Sequence, residues 1–115
     1  MKDINGILEI DGKTYSLVFN LNVLESIQAE YGSLENWGNL TDGVNGEVNA
    51  KAVIFGFTEM MNEGIDIQND ERGTNDPFLT RKQVGRLITK YGLVEATKTL
   101  NQTVVDSTQS NEKNA

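Results

Sequence analysis

"ILEIDGKTYSLVFNLNVLESIQAEYGS", residues 7–33, decides the fold of this chain. Apolar and polar residues alternate on both sides of Asp11-Gly12, and Asp-Gly is a favoured two-residue type I′ hairpin turn. That turn sets Ile10 opposite Lys13, Leu8 opposite Tyr15, Gly6 opposite Leu17 and Ile4 opposite Phe19. One sheet face then collects Ile4, Leu8, Ile10, Tyr15, Leu17 and Phe19, while the other shows Asn5, Ile7, Glu9, Thr14, Ser16 and Val18. A slip of one residue would turn the apolar set to solvent, so turn chemistry and pattern demand the same register.

The strand runs straight into a helix. Asn20 suits an N-cap, and Phe19 before it can pack on Leu24 as a hydrophobic staple. Leu24, Ile27 and Tyr31 recur at helical spacing, and Gly32 supplies a left-handed stop. Ser33 can cap another short turn, "LENWGNL", and residues 39–49 read as loop from their Gly, Asn and Asp content. "EVNAKAVIFGFTEMMNEG", residues 47–64, is apolar over much of a helical circumference. It is therefore a central core helix or one with a second face for a partner. "DIQNDERGTNDP", residues 66–77, reads as a polar loop and holds Pro77, the only proline. "LTRKQVGRLITKYG" opens with a Thr80-x-x-Gln83 capping box and carries Val84, Leu87, Ile88 and Tyr91 on one stripe. A last helix, about residues 93–105, uses Leu93, Ala96, Leu100 and Val104. The expectation is one α+β domain over residues 1–106, an N-terminal β-hairpin followed by a small bundle of four to five α-helices. Residues 107–115, "STQSNEKNA", should then form a disordered polar tail.

Composition narrows the chemistry. The 115 residues suffice for one core, and with no cysteine that core rests on packing alone. No apolar run approaches the roughly 20 residues that span a bilayer, and the N-terminus lacks a secretory pattern. A soluble, cytoplasmic protein without a membrane partner is expected, in which Asn39-Leu40-Thr41 and Asn101-Gln102-Thr103 are chance glycosylation matches. The net charge of −7 is uneven: residues 14–71 carry −9 and residues 79–98 carry +4. An acidic chain is repelled by phosphate polymers, so nucleic acid is a poor partner. The helices either side of Gly92 do not rescue that idea as a helix-turn-helix. The second one carries Glu95 near its start and only Lys98 as a cation.

Histidine and cysteine are both absent, which removes the usual general base, the imidazole and thiolate metal ligands, and the Ser-His and Cys-His pairs. Glu59 and Glu63 share a helix face at i, i+4, but without a histidine or a second carboxylate helix they read as a solvated face. The acids Asp66, Asp70, Glu71 and Asp76 fail the EF-hand pattern, whose sixth position is glycine, because Glu71 stands there. No phosphate-cradling glycine motif occurs. Neither a cofactor nor a metal site is expected, and no enzyme activity. Trp37 reads both as a core residue and as a binding anchor, and Phe57, Met60 and Met61 read both as core and as an adaptable docking surface.

The hairpin "G-K-x-Y-x-L-x-F" (residues 12–19), the helix closing on Tyr31-Gly32, the apolar "AVIFGFTEMMNEG" and the "L-T-x-x-Q-V" helix start (residues 79–84) come in an order that resembles the tail assembly chaperones of long-tailed bacteriophages and prophages. The resemblance covers most of residues 6–105 and rests on layout, since none of these features is catalytic. It implies an α+β protein that coats the tape-measure protein before the tail tube polymerises. It also implies absence from the finished virion and, in some relatives, a longer frameshifted form. Trp37, Phe57, Met60 and Met61 are then the expected protein-binding residues, with copies of the chain associating through the hairpin edge or central helix. Two other readings stay open. One is a permanent phage structural protein, such as a minor tail or head-completion component. The other is a carboxylate enzyme built on Glu59, Glu63 or Asp66.

Overall fold

The hairpin forms in the expected register. In the computed structural model, which describes residues 4–44 and 46–113, strands β1 (Ile4–Ile10) and β2 (Lys13–Phe19) pair antiparallel from Ile10 opposite Lys13 to Ile4 opposite Phe19. Asp11 and Gly12 have φ of 53° and 78°, the two positive values a type I′ turn requires. Leu8, Ile10, Leu17 and Phe19 are buried and Tyr15 packs partly against them, so the core face is the one the alternation marks.

Five helices follow: α1 (Leu21–Tyr31), α2 (Leu34–Thr41), α3 (Ala50–Arg72), α4 (Arg81–Tyr91) and α5 (Leu93–Lys113). The fold is α+β, a hairpin followed by a small helical bundle. Asn20 caps α1 by accepting the Val23 N–H at 3.2 Å, and Ser33 caps α2 by accepting the Asn36 N–H at 3.0 Å. At α4 the capping box is complete. Thr80 Oγ1 accepts from the Gln83 N–H at 3.2 Å, and the Thr80 N–H donates back to Gln83 Oε1 at 2.8 Å.

Two segments differ from expectation. Residues 66–72, read as loop, are the last two turns of α3, which ends only at Gly73 in the left-handed conformation. Polarity misled here: the stretch lacks proline and glycine, and Ile65, Ile67, Gln68 and Asn69 stay half-buried, so nothing stops the helix earlier. Likewise α5 does not end near Val105 but runs to Lys113, and Ser107 inside it is fully buried with its hydroxyl 3.3 Å from the Phe19 carbonyl. The polar residues 107–113 thus continue a helix instead of forming a disordered tail; residues 114 and 115 lie outside the described ones.

Three close approaches hold the layers together. A Cβ at Gly6 would collide with Thr103, so α5 crosses the core face of the hairpin at that glycine. Gly64 lets α3 lie along β2, where a Cβ would be 3.4 Å from the Ser16 carbonyl oxygen. Gly56 meets the Trp37 indole, where a Cβ would sit 2.5 Å from Cζ2. Polar ties add precision: Glu63 accepts from Asn20 Nδ2 at 2.6 Å and Asn22 Nδ2 at 3.1 Å, joining α3 to the start of α1.

Candidate protein-binding surfaces

The residues expected to hold a partner lie in the core. Trp37 is 1 % exposed, Phe57 and Met60 0 %, and Met61 2 %. The physical reason is the position of α3, which the hairpin, α1, α2, α4 and α5 all pack against. A helix surrounded in this way buries the large apolar side chains on its enclosed faces, here Val53, Phe57, Met60 and Met61, while Ile54, Phe55, Ile65 and Ile67 stay half-buried. Trp37 satisfies its indole N–H on the Ala52 carbonyl at 3.0 Å, which leaves it no polar handle for a partner. The hot-spot assignment of these four side chains is therefore replaced by a core assignment.

The carboxylates do not converge. Glu63 is held by the two asparagines of the α1 start, and Glu59 lines a small cavity of about 240 Å³ with Glu30, Lys51 and Arg81. Among the described residues no three histidine, cysteine, aspartate or glutamate side chains gather in the way a metal site needs. Among the described residues, burial shifts the phenol of Tyr31. Desolvation and the neighbouring Glu30 push its phenol up, and Arg81 opposes them.

The apolar residues that do face solvent sit elsewhere. Leu93 is 46 % exposed and Val94 66 %, at the start of α5, and Leu40 and Val44 are exposed where α2 gives way to the loop before α3. Between these segments lies a groove of about 460 Å³ lined by Val48, Leu93, Val94 and Thr97 together with Asp42 and Glu47. Leu93 was expected on the buried stripe of α5; instead Ala96, Leu100 and Val104 take that stripe and Leu93 flanks it. The tandem Leu93-Val94 carried the signal, because two adjacent helical residues point about 100° apart and cannot both sit at the centre of one stripe. A larger cavity of about 570 Å³ opens between the first half of β2, the second half of α3 and the α3–α4 connection, where Phe78 is exposed beside Ile65 and Tyr15. Asp42 and Glu47 line the first of these concavities, and Lys13 and Asp76 line the second.

Comparison with protein-family models, with curated proteins and with solved structures finds no match for this chain. None of its described helices is long and apolar enough to cross a membrane.

Proposed function

We propose that the chain is a non-catalytic tail assembly chaperone of a long-tailed bacteriophage or prophage, acting in the host cytoplasm on the tape-measure protein. The observation that carries this reading is the groove lined by the apolar Val48, Leu93 and Val94 together with the acidic Asp42 and Glu47. Such a groove accepts an apolar side-chain row flanked by basic residues, as an amphipathic segment of a long client would offer. Support also comes from what the composition removes. With neither histidine nor cysteine, the chain has area to offer rather than reactive groups. The order of hairpin, capped helices and Tyr-Gly helix ends, on which the resemblance rests, also supports the reading.

The test is co-expression with a tape-measure protein of the same phage or prophage. The client is expected in the soluble fraction with the native chain and in the pellet with Leu93→Asp/Val94→Asp, two exposed positions whose replacement leaves the core intact. A client equally insoluble with and without the native chain overturns the reading. Recovery of the chain from purified particles supports the alternative, a permanent minor tail or head-completion component.

A further inference from the structure

Hydrogen bonding within the hairpin leaves one line of backbone groups over. Ile10 and Lys13 flank a two-residue turn and so form a hydrogen-bonded pair; by alternation, so do Leu8 with Tyr15 and Gly6 with Leu17. The N–H and C=O groups of Asn5, Ile7 and Glu9 therefore point away from β2. Among the described residues, none of them bonds to the backbone of another element. The far edge of the sheet is different, because α3 lies against the second half of β2, beside Ser16 and Val18 at Gly64. One edge is thus partly shielded by a helix and the other is bare, with Ile7 60 % exposed on its outer face.

We propose that this bare edge binds a second copy of the chain, β1 pairing antiparallel with β1 about a two-fold axis at Ile7. The pattern of the strand is self-complementary in that arrangement. The residues whose backbone groups point outward, Asn5, Ile7 and Glu9, meet Glu9, Ile7 and Asn5 of the second copy, so every donor finds an acceptor and about six backbone bonds form. Ile7 packs on Ile7 across the axis, an apolar contact that removes a 60 % exposed side chain from water. Glu9 falls opposite Asn5 of the second copy. In a parallel, in-register pairing it would face Glu9, so charge selects the antiparallel form. Two hairpins of two strands become one sheet of four, past the size at which a sheet is marginal. Because the two-fold contact uses the β1 edge of both copies and α3 lies against β2 at Ser16 and Val18, the assembly closes at two copies instead of growing into a fibre.

This inference does not rest on the chaperone reading, and it is tested on the purified chain alone. Light scattering across a concentration series is expected to give twice the chain mass for the native protein and the single mass for Ile7→Pro. Proline at that position removes only an outward N–H, so the hairpin keeps its own bonds. Circular dichroism reports whether Ile7→Pro has folded; should it not, Ile7→Lys, which puts like charges at the axis, is read in its place with the same expectation. The register is read separately. Since the chain has no cysteine, Ile7→Cys is expected to form an intermolecular disulfide under mild oxidation, while Glu25→Cys on the exposed face of α1 is not. A native chain of single mass at the highest concentration, an assembly that folded Ile7→Pro leaves unchanged, or an Ile7→Cys that fails to cross-link overturns the proposal.

Discussion

Tyr31 carries an unusual phenol. Its hydroxyl is shut off from water with no hydrogen-bond partner among the described residues, while its ring packs against Phe55 at 5.5 Å between centroids. Desolvation, helped by Glu30, holds its pKa above the ordinary 10.0. The folded state therefore keeps a proton that the unfolded chain releases. The corresponding stability is present in full below pH 10 and is lost as pH rises through the folded value. Tyr31→Phe is expected to fold at least as stably at neutral pH and to lose less stability between neutral and strongly alkaline buffer, read as urea midpoints for both proteins at both pH values. Gly56 gives a second expectation at this scale. Adding a methyl group there drives it into the Trp37 ring, an overpacking worth about 1–3 kcal/mol, against which helix propensity returns at most about 1 kcal/mol. Gly56→Ala is expected to lower the denaturation midpoint in the native background and to do so less in Trp37→Phe, where the smaller ring makes room. Equal penalties in both backgrounds would mean that the indole is not what Gly56 accommodates.

Among the elements, α3 organises the rest and does so with asparagines as well as apolar side chains. Asn62 both donates to the Leu79 carbonyl at 3.0 Å and accepts the Leu79 N–H at 2.8 Å, pinning the start of α4 to the middle of α3. One turn past the half-buried Ile65, Asn69 does the same for Asp76, at 3.1 and 2.9 Å. A backbone that would otherwise cross solvent is thereby anchored at two points. Asn62→Ala, which leaves the Leu79 groups without their partners, is expected to cost about 1–3 kcal/mol. Hydrogen exchange at Leu79 is expected to accelerate while exchange in the hairpin does not, locating the loss in the α3–α4 connection. The same reasoning accounts for a misread boundary: residues 66–72 are polar because one side of α3 faces water and the other holds this connection, and neither use appears as an apolar stripe.

For the whole molecule, packing outweighs charge. The ion pairs among the described residues, Lys51–Glu30, Lys90–Asp11 and Lys98–Glu95, are all solvent-exposed, where such pairs contribute about 0–1 kcal/mol each. A net charge of −7 opposes compaction at the same time. Raising the salt concentration screens both, and the repulsion is the longer-ranged of the two. The melting temperature is therefore expected to hold or rise slightly from low to moderate sodium chloride; a clear fall would show that the surface pairs matter more than their exposure indicates.

Where the chain bonds to itself locally, its residues were sufficient. Asp11-Gly12 dictated the hairpin register, and Asn20, Ser33 and Thr80 marked three helix starts, because turns and caps are formed by groups a few residues apart. What lay beyond that reach was decided by packing. An apolar side chain looks alike in sequence whether it faces a core or a partner, so Trp37, Phe57, Met60 and Met61 could be placed only when α3 was found enclosed on several sides. The Leu93-Val94 tandem indicates that one of the two leaves the buried stripe of α5; that both face solvent follows from Ala96, Leu100 and Val104 taking that stripe. Periodicity tells which residues share a face of an element, and only the neighbours of that element determine whether the face meets protein or water.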